Sequence, residues 1–151
     1  MKPLTAEWVR KAEEDYEAVR HLSRRRSAAL AGIVCFHCQQ CIEKYLKARL
    51  QEADIEFPKT RSLLALLDLV APVEPAWQAF RPQARSLTNY AVESRYPGED
   101  VLLAEAREAF ESCRNLRQAI RRRMGLDEPP ASQMKLQIKE RKARYRVRRR
   151  K

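Results

Sequence analysis

Charged and amide side chains interrupt the apolar pattern of residues 36–50, which read FHCQQCIEKYLKARL. The apolar spacing predicts a helix, and Gln39 and Gln40 fall within its apolar face. Because a buried amide is costly unless it is hydrogen-bonded, we expect one of these glutamines to face a loop, a helix end or a partner subunit. Glu43 and Lys47 follow at the i, i+4 spacing of a helical ion pair. This group is either an ordinary ion-paired helix surface or part of a binding site.

Arg95, Tyr96 and Pro97 form the second group that could do chemistry. Pro97 disfavours helical geometry in the residue before it, so Arg95 falls near the end of a helix, where the helix dipole favours a cation. A guanidinium at that point can also bind a phosphate through two parallel hydrogen bonds, with Tyr96 stacked beside it. The dipole and phosphate-binding interpretations are both open on the sequence alone.

The cysteines favour packing rather than metal chemistry. Cys35, Cys38 and Cys41 advance in steps of three along one predicted helix, whereas cysteine ligands of a metal usually converge from turns. Together with Cys113 they are interpreted as small, reduced, buried residues, and we predict no metal site and no cofactor. His37 is expected to serve in helix packing or at an interface. The three glycines form no phosphate-binding loop.

Length and composition predict a single helical domain followed by a basic tail. The chain has 151 residues, of which 44% are hydrophobic, and its net charge is +11. Residues 127–151 contribute +7 of that charge, so the remaining +4 does not identify residues 1–126 as a nucleic-acid-binding domain. No apolar run is long enough to cross a membrane, and no apolar leader segment is visible, so we expect a cytoplasmic protein without membrane contact.

Five helices are predicted, at about residues 5–25, 27–52, 61–70, 76–94 and 100–124. Thr5 and Thr60 are the expected N-caps of the first and third helices, and Gly125 the expected cap after the fifth. Pro82 should either start or kink the fourth helix. The predicted fold is all-α, an up-and-down bundle of four to five helices over residues 1–126. Residues 127–151 are predicted to be a proline-containing linker and a basic tail.

In this order, these segments resemble the HEPN domain family (higher eukaryotes and prokaryotes nucleotide-binding). The resemblance covers about residues 4–124. It rests on the following segments: Ala12 with Asp15 and Tyr16, the QQ-x-x-E-K-x-x-K pattern of residues 39–47, Phe57 to Thr60 before a leucine-rich helix, Arg95 to Gly98, and an alanine-rich last helix.

The resemblance implies a helical homodimer, and prokaryotic members of this kind are often paired with a minimal nucleotidyltransferase in a toxin–antitoxin-like module. Many HEPN proteins are metal-independent RNases that use an arginine followed, about four to six residues later, by a histidine. Arg95 matches that arginine, but no histidine follows it, and Arg61 stands where the family often has a histidine. We therefore predict no catalytic residue and lean against an enzyme.

The preferred hypothesis is a module that binds nucleotide or RNA through the following residues: Arg95, Tyr96, Lys47, Glu43, Gln40 and His37. A second hypothesis is a metal-independent RNase with a diverged site, in which Arg95 binds phosphate and His37 or Glu43 accepts the proton. A third is a structural protein whose basic tail tethers it to nucleic acid.

Overall fold

The computed structural model describes residues 1–126, and these form five α-helices and no strand. The helices are α1 (Pro3–Arg24), α2 (Ala31–Glu52), α3 (Leu63–Val70), α4 (Arg81–Glu93) and α5 (Leu103–Arg123). Short 3-10 helices at Ala28–Leu30 and Pro75–Phe80 lead into α2 and α4. The predicted all-α class is confirmed. The tail predicted for residues 127–151 lies outside the described residues.

Helix α2 is the central element of the fold. It contacts α1 and α5 along its length and also contacts α3 and α4. Ile42, Tyr45 and Leu46 of α2 are almost completely buried, together with Val19 of α1 and Leu116 of α5. The wide apolar stripe of the α2 sequence predicted a helix covered on several sides, and the structure confirms this position.

Two helix starts differ from the sequence prediction. Helix α1 begins at Pro3 with Lys2 as its N-cap, because proline has no N–H to leave unpaired and its φ suits the first helical turn. Thr5 therefore lies inside the helix and is buried. Helix α3 begins two residues later than predicted, since the Ser62 hydroxyl accepts the Ala65 N–H at 3.2 Å. Thr60 instead accepts the Ser62 N–H at 3.1 Å within the preceding loop.

The predicted fourth helix divides at the point that Pro82 indicated. Residues Pro75–Phe80 form a 3-10 helix, and Pro82 occupies the first turn of α4. The predicted cap after α5 is confirmed, because Gly125 has φ +69° and the next N–H, of Leu126, bonds the Arg121 carbonyl at 2.8 Å. Only glycine adopts that left-handed conformation without strain.

Ion pairs connect α1 with α5. Glu13 of α1 accepts two hydrogen bonds from Arg117 of α5, each 2.8 Å long. The Tyr45 hydroxyl also donates to Glu13, and Arg121 lies 3.5 Å from the same carboxylate. One carboxylate therefore connects α1, α2 and α5.

We expect acid to weaken the fold through Glu13. Burial alone would raise the pKa of Glu13, but hydrogen bonds from Arg117 and Tyr45 and the charges of Arg117 and Arg121 lower it overall. A carboxyl group whose pKa is lowered by folding stabilises the fold at pH values above its unfolded pKa, about 4.3, and that stabilisation is lost as the pH falls through the folded pKa. Glu13→Gln should be about 1–2 kcal/mol less stable at pH 7, a value at the low end for charged hydrogen bonds because 33% of the side chain is exposed.

The same variant should lose less stability than the wild type between pH 5 and pH 3, because glutamine does not titrate. Urea unfolding followed by circular dichroism at stepped pH measures both effects. Glu111→Gln, at an exposed position of α5, is the control and should keep the wild-type profile. Parallel pH profiles for Glu13→Gln and the wild type would contradict the assignment.

Candidate functional site

Arg95 lies just beyond the carboxyl end of α4, beside the start of α2. Its guanidinium carbon is 5.4 Å from the centre of the Phe36 ring, within cation–π distance. The arginine is exposed, and within residues 1–126 it forms no ion pair with a carboxylate. It lines a cavity of about 670 Å³ between α2 and the segment that leads into α5. The guanidinium N–H groups are therefore available to an anion.

A glycine on α2 sets this geometry. A Cβ added at Gly32 would lie 3.0 Å from the Cβ of Ser94. Because glycine has no side chain, the end of α4 can approach α2 this closely, and Arg95 follows directly after Ser94. The close contact sets the position of the Arg95 backbone relative to α2, and the Phe36 ring contacts the Arg95 side chain.

Two exposed apolar side chains, Ile33 and Leu102, line the same cavity as Arg95, and two more, Val92 and Tyr96, are close to Arg95 in the chain. Tyr96 is 62% exposed, and Ile33, Val92 and Leu102 are each at least 46% exposed. We call these four residues, together with Arg95, the Arg95 face. Glu99 and Asp100 also line the cavity, so its charge is mixed rather than strongly positive.

His37 also contacts the Phe36 ring. The two rings meet edge to face, with centroids 5.4 Å apart. The Nδ1 atom of His37 is 2.8 Å from one carboxylate oxygen of Asp15, and the second oxygen accepts the Lys44 ammonium at 2.5 Å. A carboxylate on one ring nitrogen fixes the orientation of the imidazole. His37 and Arg95 thus have Phe36 as a common neighbour.

Glu43 and Lys47 form a closed ion pair instead of an open surface. Their charged atoms are 2.8 Å apart, and each side chain is only 8% exposed. The Lys47 ammonium also lies 5.5 Å from the Trp8 ring centre and 6.0 Å from that of Phe57. The i, i+4 spacing correctly predicted that Glu43 and Lys47 pair, but the pair is buried and not on the helix surface. The spacing alone does not show how completely α2 is covered by other helices.

The amide of Gln39 supports the same region. It donates to the Arg61 carbonyl at 2.7 Å and lies 3.4 Å from the Glu43 carboxylate. This confirms the expectation that one of the two glutamines faces a loop. Gln40, the glutamine chosen as a binding residue, is half-buried on the next position of α2.

The six predicted binding residues therefore divide between different places. Arg95 and Tyr96 lie together, and His37 joins them through Phe36. Glu43 and Lys47 lie further along α2 in the buried ion pair, where a ligand cannot reach their charged atoms without displacing it. A binding role for all six stays a prediction.

Sequence reasoning missed a group of arginines around a second cavity, between α1 and α5: Arg20, Arg24, Arg26, Arg107 and Arg114. Two signals were present in the sequence. Residues 24–26 are three consecutive arginines at the end of α1, and the two arginines of α5 are seven residues apart, which places them on one helical face.

The four cysteines are free and buried, as the sequence predicted. Hydrogen bonding to Cys38, together with burial, raises the pKa of the Cys113 thiol well above its usual value. Burial likewise raises the pKa values of Cys38 and Cys41. These thiols are therefore protonated packing groups. Within residues 1–126 no three His, Cys, Asp or Glu side chains converge as metal ligands.

A family model described as HEPN domain matches residues 5–123. The chain belongs to the HEPN family. Comparisons with curated proteins and with solved structures found no match. The matched range of this HEPN domain includes all five helices almost to their ends, together with both cavities. None of the helices in the described part of the chain is long and apolar enough to cross a membrane.

We expect the buried Glu43–Lys47 ion pair to contribute to the free energy of unfolding. Lys47→Met leaves a buried carboxylate without its cation, which typically costs about 3–5 kcal/mol. The double variant Glu43→Gln/Lys47→Met removes both charges and should recover most of that loss. Urea unfolding of the two variants measures the difference. Lys11→Met, at an exposed position of α1, makes the same charge change and should stay within about 0.5 kcal/mol of the wild type. A Lys47→Met protein as stable as Lys11→Met would contradict the buried pair.

Proposed function

We propose that this HEPN protein is a nucleotide- or RNA-binding module that acts as a homodimer beside a minimal nucleotidyltransferase, in a cytoplasmic toxin–antitoxin-like pair. The observation on which the proposal depends is the exposed Arg95 guanidinium, which rests on Phe36 at the edge of a cavity and has no carboxylate partner among residues 1–126. Family membership supports the class of ligand and of partner.

The chemistry of the Arg95 face suits a phosphate attached to a base. A guanidinium presents a planar set of N–H donors that matches two phosphate oxygens. Tyr96 and Phe36 are the adjacent aromatic side chains, and aromatic rings stack on unpaired bases without requiring a particular sequence. Glu99 and Asp100 in the same cavity oppose additional phosphates. We therefore expect one phosphate per Arg95 rather than a long charged track.

The described lining of the cavity holds the carboxylates of Glu99 and Asp100 but no histidine that could act as a general base beside Arg95, and this favours binding over cleavage. Glu43 is unavailable as a proton acceptor because it is buried against Lys47. The second candidate function, a metal-independent RNase, is favoured by one observation: the Asp15–His37 pair lies beside Phe36, the ring that also contacts Arg95. In that case His37 would accept the proton of the 2′-hydroxyl and Arg95 would stabilise the phosphate.

Exposed apolar side chains support the proposed homodimer. Of the six large hydrophobic residues that are exposed in the described part of the chain, four belong to the Arg95 face; the other two, Met1 and Leu4, lie at the amino terminus. Clustered exposed apolar residues commonly mark an interface. A dimer formed through this face would bring two Arg95 side chains to one site.

Arg95→Ala should weaken binding of a fluorescently labelled single-stranded RNA by about tenfold or more, because a hydrogen bond with a charged group contributes about 1.5–3 kcal/mol. Fluorescence anisotropy without divalent metal measures the affinity, and gel analysis of the same samples detects cleavage. Arg85→Ala, at an exposed position of α4, is the matched control and should keep wild-type affinity.

Equal losses for Arg95→Ala and Arg85→Ala would contradict a site at Arg95. Metal-independent cleavage that disappears in both Arg95→Ala and His37→Ala would overturn the binding module in favour of the RNase. Binding without cleavage, lost only in Arg95→Ala, supports the module.

Val92→Glu should convert the proposed dimer into a monomer, because it places a charge in the apolar part of the Arg95 face. Sedimentation velocity at several protein concentrations measures the change. Leu4→Glu introduces the same charge at an equally exposed residue of α1 and should leave the dimer intact. A wild-type protein that is monomeric throughout, or a dimer disrupted by Leu4→Glu alone, would contradict this interface.

A further inference from the structure

A second cavity, of about 530 Å³, lies between the carboxyl end of α1, the turn that follows it and the first half of α5. We call it the α1–α5 cleft. Only Leu103 lines both this cleft and the cavity beside Arg95. Its volume falls in the range of about 300–1,000 Å³ that is typical of small-molecule sites. The cleft is thus a separate candidate site for a small ligand.

Among residues 1–126, the charged residues that line the cleft are all arginines, with no carboxylate. The five arginines are Arg20, Arg24, Arg26, Arg107 and Arg114. Arg20 pairs with Glu17 at 3.2 Å, but the other four form no ion pair with any described residue. Arginine cannot lose its proton in a protein. Concentrated positive charge of this kind destabilises the fold by self-repulsion until an anion neutralises it.

The floor of the cleft is apolar and aromatic. The rings of Tyr16 and Phe110 lie with centroids 6.2 Å apart, beside Ala31, Val34 and Ala106. The hydroxyl oxygen of Ser23, another lining residue, is buried and has no hydrogen-bond partner among residues 1–126. A ligand that suits this lining combines a planar apolar part with negative charge.

Each of the two helices contributes one aromatic ring and two arginines to the cleft. On α1, Tyr16, Arg20 and Arg24 follow one another at four-residue steps, so an aromatic ring and two arginines lie on one face. On α5, Phe110 has Arg107 three residues before it and Arg114 four residues after it. Like charges at i, i+4 weaken a helix. Packing requires the two rings but does not explain why Arg24, Arg107 and Arg114, which have no ion-pair partner among the described residues, lie around them.

We propose that the α1–α5 cleft binds a nucleoside phosphate, with the base against Tyr16 and Phe110 and the phosphates held by the surrounding arginines. The guanidinium groups supply paired donors for phosphate oxygens, and arginine also stacks on planar rings. The site stands apart from the function proposed above, since no residue of the Arg95 face lines the cleft. The same chemistry is offered by a free nucleotide and by the phosphorylated end of an RNA strand.

Isothermal titration of the full chain with ATP tests the site. We expect Arg107→Ala/Arg114→Ala to weaken ATP binding by about tenfold or more, and Phe110→Leu to weaken it several-fold. Arg122→Ala, at an exposed position of α5 outside the cleft, is the matched control and should change the affinity less than twofold. Arg107→Ala/Arg114→Ala should keep wild-type affinity for a single-stranded RNA without a terminal phosphate, the ligand class that tests Arg95, and this separates the proposal from the one made for the Arg95 face. Circular dichroism confirms that each variant is folded.

Three further ligands determine which part of ATP is recognised. Tripolyphosphate lacks the base and adenosine lacks the phosphates, so both should bind more weakly than ATP. Phe110→Leu should weaken ATP binding without affecting tripolyphosphate. A short RNA with a 5′-phosphate tests the other source of the ligand: tighter binding than ATP identifies the strand end, and weaker binding identifies the free nucleotide.

Three results would overturn the proposal. One is the absence of ATP and 5′-phosphorylated RNA binding at millimolar ligand. Another is an equal loss of affinity in Arg107→Ala/Arg114→Ala and Arg122→Ala, which would show diffuse attraction to positive charge. The last is tripolyphosphate binding as tight as that of ATP, which would mean that the cleft recognises an anion alone.

Discussion

The enclosure of α2 is the constraint on which the rest of the structure depends. A helix covered by four others has little contact with water, so each polar side chain on it needs a partner within the protein. Lys47 and Lys44 form ion pairs with Glu43 and Asp15. Tyr45 donates a hydrogen bond to Glu13, and Gln39 donates one to a loop carbonyl. The contacts of Lys44 and Tyr45 join α2 to α1, and that of Gln39 joins α2 to the loop before α3, whereas the Glu43–Lys47 pair lies within α2. Polar residues of α2 therefore hold neighbouring elements in place, whether or not they also bind a ligand.

Because the middle of α2 is covered, the polar side chains that a ligand can reach lie at the ends and edges of the bundle. At the amino-terminal end of α2, the cover is incomplete: Ile33 is exposed, Gly32 admits the end of α4, and Phe36 supports Arg95. His37 lies one residue further along and is partly enclosed by Asp15 and Lys44. Within about two turns, α2 thus passes from an open surface that can meet a ligand to a closed interior that cannot. Arg95 lies beside the open end of α2.

The sequence predicted the helices well because the apolar spacing that defines them is local. It also predicted the division of the fourth helix at Pro82 and the cap at Gly125, both of which follow from backbone chemistry. It misplaced the caps at Thr5 and Thr60, because Pro3 and Ser62, each two residues away, offered better starts. Burial of the Glu43–Lys47 pair could not be predicted in the same way, since it depends on Trp8 and Phe57, which are distant in sequence. The α1–α5 cleft was missed for the same reason: its arginines on the α1 side and those on α5 are more than eighty residues apart in the chain.

The arginines of α5 show how one helix serves both stability and binding. Arg117 and Arg121 reach Glu13, and Arg123 reaches Glu74, so each of these three guanidinium groups has a carboxylate partner within the fold. Arg107 and Arg114 have no such partner in residues 1–126 and face the cleft instead. Residues 1–126 have a net charge of only +4, but four arginines that have no ion-pair partner among the described residues line the same cavity. Because field strength depends on where unpaired charges lie rather than on their sum, a nearly balanced domain can still present a strongly attractive site to phosphate.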